Sequence, residues 1–119
     1  MEMVIRWKLN PALSDIIEAD PGMMPDLIAI FVTDSTNRLR SLSFASVEGN
    51  LKAIRAQAHS LKGSALQIGA PGLAALCAAL ELAESPRRDE SERMISGIQD
   101  EFILVCKTME GHLSELLER

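Results

Sequence analysis

One run of apolar residues constrains this chain more than anything else in it. Leu51, Ile54, Ala58, Leu61, Ala65 and Ile68 alternate spacings of three and four. At about 100° per residue this lays them along one side of an α-helix, as the seam of a helix packed in a bundle. The ends of the run are marked as well. Gly49 can terminate a preceding helix and Asn50 can cap this one, while Gly69-Ala70-Pro71-Gly72 stops it.

The same periodicity organises the rest. Asn10-Pro11 reads as an N-cap followed by proline at the first helical position. Leu13, Ile16 and Ile17 then give a short first helix one apolar face, and Asp20-Pro21-Gly22 ends it. A second helix starts between Met23 and Asp26, carries Leu27, Ile28, Phe31, Leu39 and Leu42 inward, and stops at Glu48-Gly49-Asn50. After the central helix, a fourth places Leu73, Leu76, Cys77 and Leu80 on one face and closes at Ser85-Pro86. Asp89 with Glu92 three residues on resembles a capping box. From there Met94, Ile98, Phe102, Val105, Met109, Leu113 and Leu116 mark a long last helix. No stretch of period two reads as a strand, and there is no internal repeat or long linker.

These readings predict an all-α fold: an up-down antiparallel four-helix bundle with a short additional N-terminal helix, since short turns make sequence neighbours antiparallel. Its 119 residues suit a single domain spanning 1–119. Within 1–9, Val4, Ile5, Trp7 and Leu9 either form an extended lead-in that covers the bundle or mark a junction with a longer chain. With three Phe, one Trp and no Tyr, the core must be aliphatic.

Composition also narrows function. A formal charge of −5 gives no electrostatic case for nucleic acid or an anionic membrane surface. No apolar run approaches the roughly 20 residues of a membrane span, and the first residues lack the pattern of a signal peptide. Cys77 and Cys106 are expected to be reduced, packed thiols in a cytoplasmic protein.

The chemistry lies opposite the seam. Lys52, Arg55, Ala56, His59, Lys62, Gly63 and Leu66 share the outer face of the central helix. His59 therefore points away from the core or toward its rim, with Lys62 and Gly63 as its surface neighbours three and four residues on. Glycine within a helix costs roughly 1 kcal/mol relative to alanine, so Gly63 calls for a reason. Helical side chains lean toward the N-terminus, so residue 63 would normally lie over residue 59. Glycine there, with small Ala56 on the other side, uncovers the imidazole for a large reacting group. A close helix contact at Gly63 is the alternative. Lys62 supplies an ammonium that can offset phosphoryl oxygens, and a largely neutral exposed imidazole can act as a nucleophile.

The segment His59-Ser60-Leu61-Lys62-Gly63-Ser64-Ala65-Leu66-Gln67-Ile68-Gly69-Ala70 resembles the motif of histidine-containing phosphotransfer (HPt) domains: a His, Lys-Gly at the third and fourth following positions, a small residue, and Gly at the tenth. Gly49-Asn50 matches the turn before the family's histidine helix, and Leu76-Cys77 and Leu80-Glu81 are similar to the helix after it. The likeness runs from about residue 23 to the end.

This resemblance implies a helical bundle that takes a phosphoryl group from an aspartyl phosphate on a response-regulator receiver domain, holds it on a histidine nitrogen and passes it to a second receiver. His59 is then the phosphorylated residue, Lys62 its electrostatic partner, Gly63 the clearance and Ser64 a supporting hydroxyl. Gln67 replaces an asparagine common in the family and carries no firm role. Arg55 as an electrostatic contact and Leu66 as an apolar docking contact follow from helical spacing; Leu66 is otherwise a scattered surface leucine. The implied partners are receiver domains and a hybrid sensor histidine kinase. This chain is expected to be a monomer that binds no cofactor, with Mg2+ on the receiver. The phosphorylated domain of chemotaxis-type kinases shares the His-x-x-Lys-Gly core, but often has a histidine where this chain has Ala78, which favours the relay branch.

The alternatives are an interaction module that sequesters a receiver or kinase without depending on phosphorylation, and a helical scaffold in which His59 is structural. A metal site from His59, His112, Cys77 and Cys106 lacks ligand spacing, and there is no Gly-rich phosphate loop for a nucleotide. His112, without a Lys-Gly companion, reads as a rim or surface residue. The methionines at 23, 24, 94 and 109 fit core or groove filling.

Overall fold

In the structure, a computed structural model that describes residues 5–117 and side chains as far as residue 115, the sequence signals act where they stand. Asn10 Oδ1 accepts the Ala12 N–H at 3.0 Å, and Pro11 opens α1 (Pro11–Ala19). The second helix, α2 (Met23–Glu48), ends at Gly49, whose left-handed backbone (φ 67°) turns the chain. Asn50 Oδ1 then accepts the Ala53 N–H at 3.1 Å and starts α3 (Leu51–Ile68). Gly69, again left-handed at φ 94°, ends α3, and Pro71 opens α4 (Pro71–Leu82). The last helix is α5 (Arg88–Leu117). Two-residue connections on either side of α3 force α2, α3 and α4 into antiparallel neighbours.

The four long helices close a ring of contacts in which α2 packs on α3 and α5, and α4 packs on the same two. All of the expected seam of α3 except half-buried Leu51 is buried, and it meets Leu42, Leu73, Cys77, Leu80, Ile98, Val105 and Met109 in one aliphatic core. Phe31 and Phe102 pack at 5.8 Å between centroids at one end. This is the expected all-α bundle with a short helix added at its N-terminal side. Among the described residues no helix is long and apolar enough to cross a membrane.

Several positions differ from the periodic reading. Leu76 is 39% exposed, and Ala74 is buried in its stead. The buried arc of α4 centres on Cys77, from which Ala74 lies about 60° and Leu76 about 100° around the helix. On α5, Ile95 rather than Met94 is fully inside, and on α2, Leu27 stays half-buried. The first helix buries no residue completely; Ile16 faces solvent and Ile17 makes its contact with the core. No capping box forms at Asp89, because α5 already begins at Arg88. Asp89 instead sits in the first turn, where its charge complements the helix dipole, and Arg88 pairs with Glu92 at 3.1 Å. Val4 and the side chain of Leu116 lie outside the described residues.

The lead-in covers the bundle. Trp7 and Leu9 pack against the core. The Trp7 indole N–H donates to the Ile68 carbonyl at 2.8 Å and the Lys8 N–H to the Gly69 carbonyl at 2.9 Å. These bonds satisfy carbonyls that the end of α3 would otherwise leave unpaired. Arg6 anchors the segment to Glu101 at 3.0 Å, and the Trp7 and His112 rings meet in a T-shaped pair with centroids 5.4 Å apart. Gly69 serves both requirements at once, since a Cβ there would collide with the Lys8 carbonyl oxygen.

Gly49 and Gly69 therefore predict unequal costs. Gly49→Ala meets no neighbouring atom and should lose about 1 kcal/mol from its positive φ alone. Gly69→Ala should lose more and red-shift the emission of Trp7 as the lead-in is pushed away. Urea unfolding followed by fluorescence measures both, and equal costs would show that the lead-in contact adds nothing.

Candidate functional site

Burying the seam of α3 turns its opposite face to solvent, and His59 stands there with 67% of its side chain exposed. Across the groove to α4, Glu81 reaches both of the outward polar groups of this stretch. Its Oε1 lies 2.6 Å from His59 Nδ1 and its Oε2 accepts from Lys62 Nζ at 2.6 Å. One carboxylate thus bridges the imidazole and the ammonium, each on its own oxygen.

The electrostatics decide where the ring proton sits. The Lys62 hydrogen bond first, and the His59 hydrogen bond second, hold the Glu81 carboxyl below its ordinary range. An ionised carboxylate only accepts hydrogen bonds, so the nitrogen facing it carries the hydrogen and Nδ1–H donates to Oε1. The remaining lone pair of the neutral ring is then on Nε2. Beneath this surface the Cys77 thiol is pushed up to about 11, chiefly by burial and further by Glu81. Burial also raises the Cys106 thiol, and both cysteines are free.

The other residues singled out in the sequence fall into place unevenly. Gly63 is exposed, and a Cβ built there would meet nothing within 4 Å. A close helix contact therefore does not explain it. Ala56 is exposed as well. Arg55 donates at 3.0 Å to the carbonyl of Ala83, the C-cap of α4; a cation there complements the negative end of that helix. Ser64 turns toward α2, its hydroxyl 3.5 Å from Asp34 Oδ2, which also pairs with Arg38 at 2.9 Å. It is therefore engaged away from the His59–Glu81 pair. Leu66 is 55% exposed. Gln67 joins Leu13, Leu27, Ile30 and Ser64 around an open groove of about 500 Å3 between α1, α2 and α3. Among the described residues, no three His, Cys, Asp or Glu side chains converge as a metal site.

Sequence reasoning noted Glu81 only as part of a family likeness and gave it no part in the site. A signal was present, because Glu81 is the only charged residue in the twelve of α4. A lone charge on an otherwise apolar helix must sit at the rim, but which partner it meets depends on how α4 is set against α3.

Two outcomes follow from this geometry. Gly63→Ala should raise stability by roughly 0.5–1 kcal/mol, the ordinary gain of alanine over glycine in an unobstructed helix; a loss on urea unfolding would reveal a hidden contact. Because the folded Glu81 carboxyl is held below its unfolded value of about 4.5, its pairing contributes fully above that pH. The contribution disappears as pH falls through the lowered folded value. Glu81→Gln should remove this part of the acid dependence, seen as converging urea midpoints of the two proteins toward pH 3.

Known proteins resemble this chain in sequence and fold. A family model described as Hpt domain matches residues 26–119. The crystal structure of histidine-containing phosphotransfer protein B from Pseudomonas aeruginosa PAO1 superposes with a TM-score of 0.80 at 30% sequence identity, covering 95% of this chain and 98% of that one. Among curated proteins, none matches the chain.

Proposed function

The chain belongs to the Hpt domain family, whose members act in histidine phosphotransfer within phosphorelays, and we propose that His59 is its phosphoryl carrier. The observation that carries this reading is the exposed ring held at Nδ1 by Glu81 at 2.6 Å, which leaves the Nε2 lone pair as the nucleophile.

In this mechanism a receiver domain docks over the outer face of α3 with its aspartyl phosphate in line with Nε2. The Nε2–P bond forms as the P–O bond to the aspartate breaks, and the electron pair leaves on the receiver's carboxylate. A second receiver reverses the step. Mg2+ would be held by the receiver, not by this chain, and would supply charge neutralisation of the phosphoryl oxygens there. This chain contributes the nucleophile, its orientation and local charge. Lys62, held on Glu81 Oε2 at 2.6 Å, adds positive charge beside the phosphoryl oxygens. Gly63 leaves room for the group and for the receiver loops around it. Leu66, with Ile30 at the neighbouring groove, offers apolar contact area. Arg55 acts by holding the end of α4, and Ser64 has no direct part. The phosphoryl group comes from a receiver rather than from ATP, and the protein works as a cytoplasmic monomer, a setting consistent with two free thiols.

Incubation with a phosphorylated receiver should place acid-labile, alkali-stable label on this chain, at Nε2 of His59. His59→Gln should abolish the label while changing stability by less than ~0.5 kcal/mol, as expected at an exposed position. Label that survives in His59→Gln would overturn the assignment. Tight receiver binding without transfer would favour a sequestering module, and a large stability loss in His59→Gln would favour a scaffold. Gly63→Ala should slow transfer although it stabilises the fold.

A further inference from the structure

We infer that Glu81 keeps the proton on His59 Nδ1 through both half-reactions, so that the phosphoryl group leaves from a cationic ring. The inference rests on His59 as the carrier and extends it to the state after phosphorylation.

The charge balance gives the reason. When the Nε2 lone pair of an imidazole carrying Nδ1–H attacks phosphorus, the P–O bond breaks and its electron pair stays on the receiver's carboxylate. The product ring holds both the new N–P bond and the Nδ1 proton, so it is an N-phosphoimidazolium. If that proton is kept, the second step returns the N–P electron pair to Nε2 and releases neutral imidazole, a good leaving group. If it is lost to water, the same step must expel an imidazolate, which is a far poorer one. An imidazole ring with no charged partner gives up its proton around neutral pH. Near neutral pH the proton therefore needs a partner.

Glu81 is placed to be that partner. Its Oε1 is 2.6 Å from Nδ1, on the side of the ring opposite the reacting nitrogen, so it can remain there when Nε2 is occupied. Its other oxygen is held by Lys62 at 2.6 Å, which keeps the carboxylate ionised and aimed. The charged and titratable groups facing the pair are Glu81 and the buried Cys77 thiol from α4 and Lys62 and Arg55 from α3. Arg55 is engaged with the Ala83 carbonyl, and Cys77 stays protonated. On the α2 side, Asp34 and Arg38 pair with each other beside Ser64. Of these groups, Glu81 alone contacts Nδ1 with a negative charge. Accepting and donating then proceed with no proton entering or leaving the ring, which suits a carrier that must run in either direction.

The test needs no cognate receiver. Protein labelled with 15N is phosphorylated at His59 with phosphoramidate, and the ring nitrogens are followed by NMR against pH. Hydrolysis of the N–P bond is followed alongside, because it is faster for the protonated ring. Relative to wild type, Glu81→Gln, which retains an acceptor but no charge, should lower the Nδ1 midpoint by about one pH unit, a tenfold fall in the protonated fraction above it. The pH at which hydrolysis slows should move down with it. Lys62→Met, which leaves Glu81 less neutralised, should leave the midpoint in place or raise it. Identical titrations of wild type and Glu81→Gln would overturn the inference, as would equal falls in both variants, which would signal local disruption. A His59 that takes no phosphoryl group from phosphoramidate would instead overturn the carrier reading.

Discussion

The packing of α3 against α4 governs this molecule. Ala58, Leu61 and Ala65 of α3 are buried in one core with Leu73, Cys77 and Leu80 of α4. Two alanines with 0% exposure let the helices approach closely, and Leu61 and Leu80 supply the volume. Burying that seam commits His59 to the opposite face. The same close approach brings the rim of α4 within reach of the imidazole. A core choice and a surface consequence are therefore one event, because a helix cannot rotate to hide its histidine without exposing its leucines.

The ends of α3 hold this register. Gly49 and Asn50 close one end with a left-handed turn and a side-chain cap, and Gly69 with the Trp7 and Lys8 hydrogen bonds closes the other. At the level of His59, Arg55 ties α3 to the end of α4. None of these touches the imidazole, yet each restrains the axial position of α3 against its neighbours. A shift of one residue would turn His59 by about 100° and separate it from Glu81.

Much of this was legible in the chain. Helix existence, the turns at 49–50 and 69–70, the buried side of α3 and the outward direction of His59 all follow from spacing and from glycine and asparagine at helix ends. Where the reading failed, the cause was local competition. Ala74 rather than Leu76 is buried because α4 meets two neighbours, α3 and α5, so its buried arc is set by their combined position and not by its own largest residues. Asp89 falls inside α5 instead of capping it, since Arg88 is itself a good helix former. Ser64 has the spacing of a supporting hydroxyl, but five residues along a helix is about 140° around it, and it meets Asp34 on the α2 side instead.

The sequence by itself determined an exposed helical histidine flanked by a lysine and an unobstructed glycine, because those properties depend only on periodicity and residue type within one helix. The tertiary structure alone decided that the imidazole has a partner. His59 and Glu81 are 22 residues apart, and no local rule relates two positions on different helices. Their 2.6 Å contact exists because two apolar seams interlock at one register, and that register selects which ring nitrogen faces the carboxylate and which keeps its lone pair.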